Sequence, residues 1–113
     1  MSAIDTGDPN EKLFATLQAQ VEIIVADLRA QPIQTHWTDW METALIYIRA
    51  RDAAGVRYFR SAHGGMGSFN DWAPLTEAGW RADEAARELA DQLMRRSGLR
   101  DSGADLRHRQ RRS

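Results

Sequence analysis

The sequence predicts a mostly α-helical single domain in which three to four helices form a small bundle around a glycine-rich loop. Its 113 residues are a usual length for one domain with one hydrophobic core. Apolar residues recur at steps of three and four along three segments, which is the period of an amphipathic helix. Glycines crowded into residues 64–67 interrupt this pattern and require a loop.

The first helix is predicted to begin at Asp8-Pro9 and to end near Arg29, before Pro32. Asp8 can cap the helix, Pro9 suits its first turn, and Glu11 can complete a capping box. The residues that follow place an apolar stripe on one helix face: Leu13, Leu17, Val21, Ile24 and Leu28.

A second helix is predicted from the segment 35–38 to about Ala53, with Gly55 marking its end. Its apolar face consists of Trp37, Met41, Ala44, Leu45 and Ile48. The short segment 56–61 favours a helix because it lacks the alternation of a strand, although a strand remains open.

The last helix is predicted over residues 82–96, and Gly98 supplies its stop. Apolar side chains become scarce beyond this point. We therefore expect a helical domain over residues 1–98 and a basic, flexible C-terminal tail over residues 99–113.

The composition excludes several classes of function. The chain has no cysteine, which removes disulfides, thiolate catalysis and cysteine-ligated metals. The three histidines show no recognisable ligand spacing, so the sequence predicts no metal site and no cofactor. The longest apolar run, residues 23–26, is too short to span a bilayer, and the polar, acidic N-terminus is unlike a secretory signal. A cytoplasmic protein without a membrane partner is predicted.

Charge is divided unevenly along the chain. Residues 1–94 carry 8 Lys+Arg against 14 Asp+Glu, a net charge of −6, whereas residues 95–113 carry 7 against 2, a net charge of +5. An acidic body favours a basic protein partner through electrostatic attraction, and nucleic acid would be reached only through the arginines of residues 107–112. The predicted partner contacts are Trp40, Asp39, Glu42 and Asp52.

The glycine-rich loop is the strongest candidate for a ligand site in the sequence. It consists of Gly64, Gly65, Met66, Gly67, Ser68, Phe69, Asn70 and Asp71. Backbone amides in glycine torsions can form a nest that binds an anion, although the lysine of a phosphate-binding loop is missing here. The alternative, which we favour, is a tight turn in which Met66 and Phe69 pack into the core.

A catalytic role for His63 is the sharpest enzymatic hypothesis. His63 precedes the loop, and Asp71 follows eight residues later, so the two can be imagined as a base and its orienting carboxylate. Proximity in sequence does not establish geometry. We therefore predict no catalytic residue and expect a binding protein more than an enzyme.

Three strings of residues resemble a family of small uncharacterised bacterial proteins. The strings are residues 37–42, residues 51–55 and, most specifically, the Gly-Gly-Met-Gly-Ser-Phe-Asn-Asp motif of residues 64–71. The resemblance extends over about residues 21–94 and implies a compact helical protein with a loop of fixed sequence. In that family the position before the paired glycines tends to be apolar, so His63 is a departure that argues against a catalytic role for it. Small bacterial proteins of this type are often immunity proteins, which is an association with the type alone.

The leading hypothesis is a non-enzymatic protein-binding domain of the immunity-inhibitor type that recognises a basic toxin. One alternative is a small-molecule or anion-binding protein, or an enzyme, that uses the glycine-rich loop. A second alternative is nucleic-acid binding through the arginine-rich tail. The oligomeric state stays open.

Overall fold

The computed structural model describes residues 8–64, 68–69 and 73–106, and this part of the chain forms four α-helices and no strand. The helices are α1 (Pro9–Arg29), α2 (His36–Arg49), α3 (Ala53–Ser61) and α4 (Glu77–Met94). Helix α1 packs against α2 and α4, and α3 closes the bundle by packing against the same two helices. The predicted small helical bundle is confirmed.

Helix α1 begins and ends where the sequence predicts. The Asp8 side chain accepts a hydrogen bond from the Asn10 amide at 2.9 Å, and the helix ends at Arg29. Its buried stripe contains Phe14, Leu17, Val21, Ile24, Val25 and Leu28. The expected capping box is wrong, because the Glu11 carboxylate instead accepts two hydrogen bonds from the Arg51 guanidinium, each at 2.8 Å.

The boundary between α2 and α3 differs from the prediction. Helix α2 ends at Arg49, because Arg51 adopts a φ of 58°, a left-handed conformation that glycine usually supplies. The chain then restarts as a helix at Ala53, where the Asp52 side chain caps α3 by accepting from the Ala54 amide at 3.0 Å. The short helix predicted over residues 56–61 is confirmed and begins three residues earlier.

Gly55 lies inside α3 and does not end α2. A Cβ atom at this position would lie 2.6 Å from the Tyr47 Cβ, 2.8 Å from the Ile48 nitrogen and 2.9 Å from the Ala44 oxygen. The glycine therefore allows the backbones of α2 and α3 to approach closely.

Helix α4 begins at Glu77, earlier than the predicted Ala82, because of a cap that includes α1. Thr76 accepts a hydrogen bond from the Gly79 amide at 3.3 Å. The Asp27 carboxylate of α1 in turn accepts from the amide and the hydroxyl of Thr76, at 2.8 and 3.0 Å. The start of α4 thus depends on a residue that lies about fifty positions earlier.

The described part of the predicted tail, residues 99–106, lies against the helical body. The Ala53 amide donates to the Arg100 carbonyl at 2.8 Å, and the Ser102 amide donates to Asp52 at 2.9 Å. Arg57 forms an ion pair with Asp101, and Leu106 is 4% exposed. Residues 107–113 lie outside the described residues, and the domain boundary at residue 98 stays a prediction.

Candidate functional site

Two buried polar side chains meet at the base of the glycine-rich loop. His63 Nε2 lies 2.8 Å from Asp83 Oδ1 of α4, and their side chains are 4% and 0% exposed. The other carboxylate oxygen of Asp83 lies 3.2 Å from Arg87 Nε, one helical turn further along α4. The His63–Asp83 contact attaches the start of the loop to α4.

Aromatic rings enclose the His63 imidazole. Its centroid lies 4.9 Å from that of Phe59 and 5.4 Å from that of Phe69, both in edge-on arrangements. Phe69 also packs edge-on against Trp37 of α2 at 5.3 Å. The His63 side chain is therefore enclosed in the core and is only 4% exposed. A substrate would have to displace packed side chains to reach the imidazole.

The structure therefore assigns His63 a different carboxylate from the one that sequence proximity suggested. Asp83 lies 20 residues after His63 and was missed, whereas Asp71 lies outside the described residues. A signal was available in the sequence, since Asp83 sits beside the alanine stripe of the last helix with Arg87 four residues later.

Three of the eight predicted loop residues can be located. Gly64 is exposed with a φ of +94°, while Ser68 and Phe69 are buried. The Phe69 amide donates to the Ala62 carbonyl at 2.8 Å, which ties the far side of the loop back to the end of α3. Gly65, Met66, Gly67, Asn70 and Asp71 lie outside the described residues, so the anion-nest hypothesis stays a prediction.

The four predicted partner contacts differ in exposure and in the groups that they contact. Trp40 is half-buried: its ring stacks on Tyr58 with centroids 4.6 Å apart, and its Nε1 donates to the Tyr58 carbonyl at 3.1 Å. Asp39 is exposed on α2, and Glu42 forms an ion pair with Arg29 of α1. Asp52 is only 2% exposed, and its carboxylate accepts from the amides of Ala54 and Ser102, so it lies inside the fold and not on the surface.

A different surface combines apolar and charged side chains in an open groove of about 470 Å³ between α1 and α2. We call it the α1–α2 face. It is lined by Glu22, Val25, Ala26, Arg29, Glu42, Leu45, Ile46 and Arg49. Of the predicted partner residues, only Glu42 belongs to it.

Two ion pairs cross the groove, one toward each end. Arg29 of α1 pairs with Glu42 of α2, and Glu22 of α1 pairs with Arg49 of α2 at 3.1 Å. Hydrogen bonds from Gln18 and Arg49 lower the pKa of Glu22, so this carboxylate is charged at neutral pH.

Between the ion pairs the groove is apolar. Val25 and Leu45 are buried and form its floor, while Ile46 is 59% exposed. The groove therefore presents an apolar centre between charged ends, which is how a protein interface is arranged.

Other site types find no support in the described ranges 8–64, 68–69 and 73–106. No group of three or more His, Asp or Glu side chains comes together there in a way that could hold a metal ion. None of the helices built from these residues combines the length and the apolarity that a membrane span requires.

The fold and the two sites define a small all-helical domain with a buried polar anchor and an open, mixed apolar and charged face. A family model described as "Domain of unknown function (DUF6966)" matches residues 30–79, which is less than half of the chain. The matched range begins after α1 and includes α2, α3 and the glycine-rich loop, in agreement with a likeness to an uncharacterised family. The comparison with curated proteins and the comparison with solved structures found no match.

Proposed function

We propose that this chain is a non-enzymatic protein-binding domain and that the α1–α2 face is its docking surface. The observation that carries the proposal is Ile46, which is 59% exposed in a groove between two ion pairs. A partner that covers this side chain would bury apolar area at the centre of the contact and leave the charges at its rim, which is the usual arrangement of a protein interface.

The buried state of the loop base supports a binding function over catalysis. A general base must come within hydrogen-bond reach of the substrate proton. His63 and Asp83 instead contact each other, and the imidazole packs against Phe59 and Phe69. Their arrangement suits a structural role in holding the loop on α4.

The chemistry of the partner follows from the charges on the face. Glu22 and Glu42 alternate there with Arg29 and Arg49, so the face favours a partner with alternating charges. The net negative charge of residues 1–94 supports the narrower form of the proposal, an immunity-type inhibitor of a basic toxin in a bacterial cytoplasm. That form also depends on the family resemblance described above.

Site-specific photo-crosslinking tests the docking surface. A photoreactive residue in place of Ile46 should give one discrete protein adduct in the native host. The same residue in place of Ile33, which is 75% exposed and outside the groove, is the matched control. The unlabelled wild-type chain should compete the adduct away, whereas the I46E chain should not. Identical adducts from both positions, or none from position 46, would refute the docking surface.

A further inference from the structure

The two helices of the α1–α2 face carry the same eight-residue pattern. Residues 22–29 of α1 read Glu-Ile-Ile-Val-Ala-Asp-Leu-Arg, and residues 42–49 of α2 read Glu-Thr-Ala-Leu-Ile-Tyr-Ile-Arg. Both segments begin with glutamate, end with arginine and place two apolar residues at the fourth and fifth positions. All eight residues that line the groove occupy these four shared positions.

The two segments run in opposite directions in the fold. A step of seven residues forward along α1, from Glu22 to Arg29, moves the ion-pair partner seven residues back along α2, from Arg49 to Glu42. A half-turn about an axis perpendicular to the face therefore exchanges α1 with α2 and superimposes glutamate on glutamate and arginine on arginine. The face has an approximate two-fold symmetry of its own.

This symmetry makes the face complementary to itself. When two copies meet face to face about a two-fold axis parallel to the helices, α1 of one copy lies on α2 of the other. Glu22 then faces the second copy's Arg49, and Arg29 faces its Glu42. When the two-fold axis instead lies in the interface and runs across the helices, Glu22 faces Arg29 of the second copy and Glu42 faces its Arg49. Opposite charges meet in both arrangements.

We infer that the partner of the α1–α2 face is a second copy of this chain, and that the two copies form an isologous dimer with a four-helix interface. This inference depends on the proposed function, because it names the occupant of the proposed docking surface. The dimer covers both copies of Ile46 and surrounds them with inter-chain ion pairs. Each copy contributes two helices, α1 and α2, and neighbouring helices run in opposite directions both within a copy and across the interface, as in antiparallel four-helix packing.

The first test is the mass of the protein in solution, measured by light scattering during size-exclusion chromatography over a range of concentrations. The wild-type chain should show twice the monomer mass and dissociate on dilution. I46E should raise the dissociation constant about 30-fold or more, because it places a carboxylate at the centre of the contact. The matched control, I33E, should leave it unchanged. A monomeric wild-type chain at millimolar concentration would overturn the inference.

A charge variant separates self-association from binding to a basic partner. R29E/R49E makes all four charged residues of the face acidic, so two copies repel each other while attraction to a basic protein increases. Loss of the dimer in this variant supports the inference. An unchanged dimer overturns it, since the interface would then lie elsewhere.

The absence of cysteine allows a third, site-specific measurement. I46C should form a dimer covalently linked by a short bismaleimide reagent, and I33C should not. The photo-crosslinking experiment distinguishes the two proposals. An adduct at position 46 that contains only a different protein would overturn the dimer and keep the docking surface, whereas no adduct would overturn both.

Discussion

The replacement of Gly55 by alanine tests the close contact between α2 and α3. The new Cβ would lie 2.6 Å from the Tyr47 Cβ, whereas ordinary contacts begin at 3.4 Å. The other close atoms, the Ile48 nitrogen and the Ala44 oxygen, belong to the backbone of α2 and cannot rotate away. Helix α3 must therefore move away from α2.

The expected loss of stability is the difference between two effects. Overpacking of this kind costs about 3 kcal/mol or somewhat more, because rigid backbone atoms are involved. Alanine is better than glycine inside a helix by about 1 kcal/mol, which opposes the loss. We expect G55A to lower the free energy of unfolding by about 2 kcal/mol, equivalent to a Tm about 8 °C lower for a domain of this size.

Urea denaturation followed by circular dichroism at the helix band measures this change. The control is A15G, an exposed position of α1, which should lose about 1 kcal/mol from helix propensity alone. Near-ultraviolet circular dichroism should also change in G55A, because Trp40 of α2 stacks on Tyr58 of α3. A G55A protein as stable as the wild type, or more stable, would refute the reasoning.

Three further predictions address the loop base, the cap of α4 and residues 99–106. D83L leaves the buried His63 imidazole without the carboxylate that it contacts and should lower the free energy of unfolding, measured by urea denaturation, by about 3 kcal/mol. H63L/D83L should recover part of this loss. A double variant less stable than D83L would contradict the structural role of the pair. G79A should destabilise the wild-type chain, because its Cβ would lie 2.0 Å from an Asp27 oxygen. In a D27A chain that oxygen is gone, so the better helix propensity of alanine should make G79A stabilising by about 1 kcal/mol. Thermal melts in which G79A shifts the Tm in the same direction in both backgrounds would exclude this explanation. Burial raises the pKa of Asp52, but hydrogen bonds from Ser102 and Ala54 outweigh it, and the hydrogen bond from Arg57 lowers the pKa of Asp101. Both folded-state pKa values lie below the unfolded ones, so their stabilisation is complete above about pH 5 and is lost as the pH falls through about 4 and below. Hydrogen exchange at pH 3 should therefore show less protection of residues 99–106 than of α1. In D52N/D101N this difference should already be present at pH 6. Wild-type residues 99–106 that are equally protected at pH 3 and pH 6 would be inconsistent with this reasoning.

The sequence predicts the helices well where the signals are local. Asp8 and Pro9 mark the start of α1, and the apolar stripe identifies its buried face. The turn after α2 is missed because Arg51 takes a left-handed conformation, held in place by hydrogen bonds to Glu11 and Gln18 of α1. Such long-range contacts leave no local pattern, so the sequence wrongly indicates that the nearby Gly55 marks the end of α2.

The candidate sites were only partly predictable. The two halves of the α1–α2 face are visible in the sequence as one repeated pattern, but that pattern becomes a surface only when α1 and α2 pair in antiparallel register. The sequence does not reveal the partner of His63 for the same reason, since Asp83 reaches His63 only after α4 has packed onto α3. Composition indicated an acidic body, yet arginines on neighbouring elements pair with many of its carboxylates.

The central place of α1 has a consequence for the order in which a nascent chain can fold. Of the four described helices α1 is synthesised first, yet its most extensive packing is with α4, which begins only after a further 47 residues have followed Arg29. Until then the packing of α1 among the described helices is mainly with α2, and the Asp27 carboxylate lacks the hydrogen bonds that Thr76 later donates to it. Translational pausing before Glu77 is therefore expected to prolong the time for which the apolar face of α1 is accessible to chaperones.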